Sequence, residues 1–201
     1  MIPSRLVLAT ANPGKMRELH ALVGAWGAIE VRSLAEFPDV RLPEETGLTY
    51  AENAQLKARA AAAATNLPAL ADDSGLEVDA LAGAPGVRSA RYAPSDAERI
   101  ARLLAALERI EDRRARFRCV VVLAWPDGRT ESAEGVCAGR IAERPDGAAG
   151  FGFDPIFVSD ELGHTFAAAT AGEKGRVSHR ARAVRALGAR LAANSGAPSD
   201  S

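Results

Sequence analysis

The sequence predicts an α/β protein, a chain of 201 residues in which short apolar strands alternate with amphipathic helices. Near the N-terminus, an apolar run at 5–9 enters a polar turn, and apolar residues then recur at helical spacing. Two further helices begin at capping boxes, in which a Ser or Thr precedes a Glu by three positions. The valine-rich run at 117–125 is typical of a strand that is buried on both faces.

The composition excludes several classes of protein. Hydrophobic residues make up 47% of the chain and charged residues 25%, as in an ordinary globular protein. The formal charge of -1 lacks the basic excess of a general nucleic-acid binder. No apolar run approaches the ~20 residues of a membrane helix, and no secretory signal is visible. We therefore expect a cytoplasmic protein with neither a nucleic-acid nor a membrane partner.

The polar turn after the first strand, Thr10-Ala11-Asn12-Pro13-Gly14-Lys15, is a candidate phosphate site. Asn12 is a favoured N-cap residue, and Pro13 suits the first helical position. Free backbone N–H groups and the positive end of the helix dipole attract phosphate, and Lys15 adds a point charge. The turn is not a P-loop, because it lacks that motif's first glycine and its Ser/Thr after the lysine. The alternative is a capped helix with an exposed lysine.

An acidic, Pro- and Gly-rich loop at 34–48 separates a short second strand from the next helix. A capping box of Thr49 and Glu52 begins that helix. Asn53 and Lys57 are four residues apart and therefore share one helix face. They are either a solvated surface pair or part of a site.

The stretch Ala71-Asp72-Asp73-Ser74-Gly75-Leu76 follows a short apolar run and predicts a strand that enters an acidic turn. Adjacent carboxylates are suitable ligands for a hard cation such as Mg²⁺, which usually takes one or two protein carboxylates together with water and substrate phosphate. Gly75 would permit a sharp turn or a close approach to a ligand. The alternative is an acidic loop that is merely solvated.

The second half of the chain begins with a helix after the capping box of Ser95 and Glu98. The central strand then reaches a hairpin turn at 126–129 and returns. With a two-residue hairpin loop, Cys119 and Cys137 would point to opposite faces of the sheet, so we expect no disulfide between them.

The run GFGFDPIF at 150–157 combines two glycines, three aromatic residues and an aspartate. It indicates a backbone held close to a planar ligand, or else a glycine-bent strand whose phenylalanines belong to the core. Further on, 173–174 lies in a predicted polar loop. Ser178 is a favoured N-cap, which places His179 and Arg180 on the first turn of the last helix.

Several separated stretches match one family in order: the chain resembles the inosine triphosphate pyrophosphatases over roughly residues 5–192. The motifs are ATANPGK at 9–15, EETG at 44–47, ENA at 52–54, KA at 57–58, ADDSGL at 71–76, GAPGV at 83–87, SARY at 89–92, GFGFDP at 150–155 and SHR at 178–180. The resemblance implies an α/β fold with a long twisted mixed sheet flanked by helices, two lobes and a central active-site cleft. We expect one such domain over 1–194, a disordered tail over 195–201, and a homodimer.

The resemblance also implies a reaction, the Mg²⁺-dependent hydrolysis of ITP, dITP and XTP to the monophosphate and pyrophosphate, which clears the nucleotide pool of these compounds. Asp73 matches a proton acceptor and metal ligand, two roles that are alternatives, and Glu44 matches a second metal ligand. Lys15 and Lys57 match catalytic positions that neutralise phosphate charge. The positions that match substrate-binding residues are Thr10, Ala11, Asn12, Pro13, Gly14, Lys15, Asn53, Ser74, Phe151, Gly152, Phe153, Asp154, Lys174, His179 and Arg180.

Two other functions remain open. A nucleotide pyrophosphatase of the septum-inhibitor type acts on other bases, but its first turn would carry a Ser/Pro/Arg-Arg sequence in place of the residues at 12–15. A non-catalytic nucleotide-binding module would not need Asp73, Glu44 and the lysines together.

Overall fold

The computed structural model describes residues 1–194, and the tail predicted at 195–201 lies outside that range. The strands are β1 (Arg5–Leu8), β2 (Glu30–Ser33), β3 (Ala69–Val78), β4 (Arg114–Ala124), β5 (Thr130–Ile141) and β6 (Phe157–Ser159). The helices are α1 (Pro13–Val23), α2 (Tyr50–Thr65), α3 (Asp96–Ala106), α4 (Ala171–Val177) and α5 (His179–Ala193). Within the described range, no helix is both long enough and apolar enough to cross a membrane.

The strands form one sheet in the order β2-β1-β3-β4-β5-β6. β1 is parallel to both β2 and β3, with Arg5 opposite Glu30 and Val7 opposite Ala69. β6 is antiparallel to β5. Helices follow or connect the strands, so the predicted class, an α/β fold with a mixed sheet, is confirmed.

The chain divides into two compact units. Of the described residues, unit 1 contains Met1–Asp73, Val120–Gly135 and 182–194, and unit 2 contains Ser74–Cys119 and Val136–Ala181. The chain passes from one unit to the other within β3, within β4, within β5 and again near the start of α5.

Unit 1 has a core of mainly aliphatic side chains. The buried alanines of α2 add little side-chain volume, so that helix lies close to the sheet; they are Ala54, Ala58, Ala61 and Ala62. Trp26 Nε1 donates to the carbonyl of Val184 in α5 at 3.3 Å. A Cβ at Gly188 would lie 2.4 Å from that nitrogen, so the contact requires glycine at this position of α5.

Unit 2 has an aromatic core. The ring of Phe117 in β4 lies 4.6 Å from that of Phe157 and 5.9 Å from that of Phe166, measured between centroids. All three rings are at least nine-tenths buried, and Leu103 of α3 joins the same cluster. Part of the 150–157 run is therefore core, as one of the two interpretations of that run predicted.

Two local predictions were wrong. The stretch 71–76 is not a turn but the middle of β3, because β3 lies between β1 and β4 and pairing on both sides overrides local turn propensity. Residues 173–174 lie in α4 rather than in a loop, since Thr170 and Glu173 form a capping box. Cys119 and Cys137 are both buried and are not joined by a disulfide.

Candidate active site

The turn between β1 and α1 is held by the side chain of Asn12, the predicted N-cap. Asn12 Oδ1 accepts hydrogen bonds from the N–H groups of Gly14 at 2.8 Å and Lys15 at 3.0 Å. The free N–H groups that we expected here are therefore taken, and Pro13 has none. Phosphate binding at this turn would depend on the helix dipole, the Thr10 hydroxyl and the Lys15 ammonium.

Lys15 does not extend into solvent. Its Nζ lies 3.1 Å from Oδ2 of Asp72, a carboxylate of β3 that is completely buried in unit 1. A buried carboxylate needs a partner of opposite charge, so this ion pair fixes the position of the lysine ammonium group beside β3. The alternative of an exposed lysine on a capped helix does not describe this arrangement.

Asp73 is the neighbouring buried carboxylate, and it is oriented by Asn53 of α2. Asn53 Nδ2 donates to Asp73 Oδ2 at 3.0 Å, while Asn53 Oδ1 accepts from the N–H group of Gly47 at 2.8 Å. A Cβ at Gly47 would lie 2.7 Å from Cβ of Glu52, so only glycine fits there. The loop, the helix and the strand are thus joined through one amide side chain.

The environment of Asp73 changes its acidity. Burial raises the pKa of Asp73, and the nearby charge of Glu45 raises it further. Lys15, Lys57 and the hydrogen bond from Asn53 lower the pKa, but burial is the largest influence and the net direction is upward. A carboxylate with a raised pKa is better suited to accept a proton at neutral pH.

Lys57 is buried, and it is the second cation of this cluster. Its Nζ donates to Glu45 Oε1 at 2.5 Å and to the carbonyl oxygen of Asp72 at 2.7 Å. Glu44, the predicted metal ligand, has an exposed side chain, and its neighbour Glu45 is the loop residue that reaches Lys57. Asn53 and Lys57 are therefore not a solvated surface pair.

A divalent cation fits this cluster only with help from the substrate. Among the described residues, no group of three or more His, Cys, Asp and Glu side chains could hold a metal ion. Mg²⁺ usually takes one or two protein carboxylates and completes its shell with water and phosphate oxygens. Asp73 supplies one buried carboxylate, and a cation beside it would offset the burial that now raises its pKa.

Unit 2 holds a different group of side chains around the ring of Phe151. Arg180 is buried and donates from Nη2 to Ser74 Oγ at 2.9 Å, and its guanidinium carbon lies 5.8 Å from the centre of the Phe151 ring. Lys174 Nζ lies 5.1 Å from the same centre and 2.5 Å from Asp154 Oδ2. Two cations thus lie within about 6 Å of the centre of one aromatic ring.

The predicted ligand-binding run begins with a tight loop. Gly150 has a φ of 80°, and a Cβ there would lie 2.1 Å from Asp154 Oδ2. The same oxygen accepts from the N–H group of Phe151 at 2.9 Å. Phe153 is buried in the core, whereas the Phe151 side chain remains partly accessible. Phe153 therefore fits the interpretation of this run as core, and Phe151 fits its interpretation as a ligand-binding segment.

His179 stacks on the aromatic core. Its ring is nearly parallel to that of Phe117, with centroids 4.6 Å apart and planes 12° apart. The residue is buried, as is the adjacent Arg180, so the first turn of α5 faces the interior of unit 2.

Sequence reasoning missed three acidic residues that bond to predicted site residues. They are Glu45 at Lys57, Asp72 at Lys15 and Asp96 at Gly152. Glu45 is adjacent to Glu44, and Asp72 is adjacent to Asp73. Because adjacent acidic residues have the same chemistry, only the three-dimensional contacts show which of the two bonds to a lysine. No spacing in the sequence links Asp96 to Gly152, because the two residues are 56 positions apart.

The geometry defines an α/β protein with a buried carboxylate between lysines in unit 1 and a cation-flanked aromatic ring in unit 2. The chain belongs to the Ham1 family, whose family model matches residues 6–190. This match confirms the family that the motifs predicted.

Relatives and solved structures agree with that assignment. The chain is 52% identical to the dITP/XTP pyrophosphatase of Thermus thermophilus, over 91% of this chain and 89% of that protein. It is 50% identical to the dITP/XTP pyrophosphatase of Geobacillus kaustophilus, over 90% of this chain and 91% of that protein. The structure of a HAM1 protein from Coxiella burnetii matches with a TM-score of 0.84 at 43% identity, covering 95% of this chain and all of that one.

Proposed function

We propose that this protein hydrolyses the non-standard purine nucleoside triphosphates ITP, dITP and XTP to the monophosphate and pyrophosphate. The observation that carries the proposal is the buried Asp73, oriented by Asn53 and lying among Lys15, Lys57 and Glu45 in unit 1. The names of the relatives, dITP/XTP pyrophosphatases, support the same reaction and substrates.

Asp73 acts on the attacking water in this mechanism. The oxygen of the water forms a bond to the α-phosphorus, and the bond from that phosphorus to the oxygen bridging to the β-phosphorus breaks. The water proton passes to Asp73, whose raised pKa favours this transfer. Asn53 holds the carboxylate in one orientation through its bond to Oδ2.

The two lysines stabilise the charge that develops on the phosphoryl oxygens. Asp72 holds the ammonium group of Lys15, and Glu45 holds that of Lys57. Fixed cations need no reorganisation when the charge appears, which is the main advantage of such sites over water. Bound Mg²⁺ would add further charge neutralisation, with Glu44 and phosphate oxygens as its proposed ligands while Asp73 serves as the base. Binding of Mg²⁺ by Asp73 is the alternative to that role.

We assign recognition of the base to unit 2. Lys174 and Arg180 have only donors, so they suit the 6-keto oxygen of inosine and xanthosine and oppose the 6-amino group of adenine. Phe151 would stack on the purine. Ser74, Gly152, Asp154 and His179 complete the residues assigned to the base, while Phe153, which the resemblance also implied, lies in the core. Thr10 to Lys15 in unit 1 are assigned to the triphosphate. An opposed buried polar group costs about 1–3 kcal/mol, which corresponds to roughly fivefold to 150-fold discrimination.

The test is hydrolysis of ITP, XTP and ATP with Mg²⁺, with products followed by phosphorus NMR. We expect monophosphate and pyrophosphate from ITP and XTP, and much slower turnover of ATP. Equal turnover of ATP and ITP would overturn the substrate assignment. Binding of ITP without any hydrolysis would favour a non-catalytic nucleotide-binding module.

The resemblance to this family is also the basis for proposing Mg²⁺ as the cofactor, a homodimer as the assembly, one domain over 1–194 and a cytoplasmic location. Activity restored by Mg²⁺ after chelation, and a mass twice that of the chain in light scattering, are the expected results.

A further inference from the structure

A side chain outside the assigned residues contacts the base-binding run in unit 2. Asp96, in the first turn of α3, accepts a hydrogen bond at Oδ2 from the N–H group of Gly152 at 2.7 Å. Its other oxygen, Oδ1, accepts from Arg99 Nη1 at 2.6 Å. Arg99 Nε in turn donates to the carbonyl of Ala93 at 2.9 Å, so the carboxylate is held on both sides.

The start of α3 fixes where this carboxylate lies. Ser95 caps the helix: its hydroxyl accepts from the N–H group of Glu98 at 3.2 Å, and Glu98 Oε2 accepts from the N–H group of Ser95 at 2.9 Å. The residue that follows the cap, Asp96, therefore projects from a well-defined helix end. A carboxylate in the first turn is also favoured by the helix dipole.

The loop that receives this contact has an unusual backbone. Gly152 has a φ of 62°, in the left-handed region, although a Cβ there would meet no atom within 4 Å. Glycine is thus required by the backbone conformation and not by space. The N–H group of Phe151 is bound by Asp154 within the loop, whereas that of Gly152 is bound by Asp96 from another element.

Two carboxylates therefore hold two successive amides, one on each side of the Phe151 side chain. We infer that Asp96 is a positioning residue for base recognition, which holds the turn at 151–152 so that the Phe151 ring is presented to the purine. This inference rests on the proposed function, since it takes Phe151 as the stacking partner of the base. Asp96 acts through the backbone of Gly152, without itself touching the substrate.

The experiment compares three variants in ITP hydrolysis. Asp96→Ala removes the acceptor, and we expect KM for ITP to rise about tenfold with kcat within about twofold of the parent value. A contact to the base is the same in the ground and transition states, and its loss raises KM alone. Asp96→Asn keeps an oxygen that can accept from Gly152, so its KM should stay close to that of the parent.

Glu98→Ala is the matched control. It removes the hydrogen bonds that the Glu98 side chain accepts from Ser95 in the same helix cap, but leaves the contact between Asp96 and Gly152. Its thermal midpoint should fall, while its KM stays near the parent value. An equal rise of KM in Glu98→Ala would show that Asp96 acts only through helix stability, and would overturn the inference.

Hydrogen exchange of the nucleotide-free protein gives a readout that does not depend on catalysis. The amide of Gly152 should exchange faster in Asp96→Ala than in the parent, in Asp96→Asn or in Glu98→Ala. Unchanged exchange in Asp96→Ala, or faster exchange with an unchanged KM, contradicts the inference. A parent protein that does not hydrolyse ITP would instead contradict the proposed function. The exchange data would still test whether Asp96 restrains the loop through the N–H group of Gly152.

Discussion

The two units carry clusters of opposite chemical character. In unit 1, the buried carboxylates Asp72 and Asp73 lie beside the ammonium groups of Lys15 and Lys57. In unit 2, cations lie against aromatic rings. The first combination suits phosphate and proton chemistry, and the second suits a planar base with hydrogen-bond acceptors. The proposed roles therefore place the reaction in one group of side chains and base selectivity in another, so we expect mutations to affect the two properties separately.

The largest effect is expected from the unit 1 carboxylate. Asp73→Asn keeps the size of the side chain and an acceptor for Asn53 but removes the charge. We expect kcat for ITP to fall by at least ~10²-fold, the order seen when a main electrostatic group is lost. The preference for ITP over ATP should remain. Turnover near the parent rate in Mg²⁺ would show that the cluster is not the catalytic site.

The next effect concerns selectivity in unit 2. Arg180→Ala removes donors that we assign to the 6-keto oxygen, so the ratio of kcat/KM for ITP to that for ATP should fall by about tenfold or more. Arg114→Ala is the control, because that side chain is largely exposed and pairs with Asp112 at the surface. If Arg180→Ala slowed both substrates equally, the residue would belong with catalysis and the comparison would fail.

A third prediction separates the two phenylalanines of the same run. Phe153→Ala should lower the free energy of unfolding by about 3–5 kcal/mol, the usual result of truncating a buried phenylalanine. Phe151→Ala should cost much less stability, because its ring is only partly buried. It should raise KM for ITP instead. Chemical denaturation and measurement of KM on both variants check this prediction: Phe153→Ala should mainly lose stability, and Phe151→Ala should mainly raise KM.

The smallest effect is on stability against pH. Because burial raises the pKa of Asp73 in the folded protein, this group favours folding at low pH, and that contribution is lost as the pH rises through its raised pKa. Asp73→Asn should therefore be more stable than the parent at pH 7 without metal. The difference should shrink as the pH falls into the range where aspartate ordinarily titrates.

Asp112→Asn is the control for that measurement. Its hydrogen bonds with Arg114 lower the pKa of this exposed carboxyl, so its contribution is present at neutral pH and lost on acidification. The variant should be slightly less stable than the parent at pH 7, the opposite sign. Denaturant titrations at pH 7 and pH 4 decide both.

Local chemistry made part of the fold and site predictable. Asn12 and Pro13 placed the start of α1, and the Thr49 and Ser95 capping boxes placed α2 and α3, because these signals act over three or four residues. The turn predicted at 71–76 was wrong because β3 continues through this stretch, where it lies between β1 and β4, two strands that are distant from it in sequence. Within the site, adjacent residues have the same chemistry, so only the folded contacts show that Glu45, rather than Glu44, reaches Lys57. The hydrogen bond from the N–H group of Gly152 to Asp96 could not be predicted from the sequence either, because the two residues are 56 positions apart.

The central claim, that the residues around Asp73 direct water to the α-phosphorus, is tested most directly by the position of the solvent oxygen. ITP should be hydrolysed with Mg²⁺ in water enriched in ¹⁸O, and the products examined by phosphorus NMR and mass spectrometry. We predict that one ¹⁸O atom enters the inosine monophosphate and none enters the pyrophosphate. Label in the pyrophosphate, or release of orthophosphate with inosine diphosphate, would contradict the account.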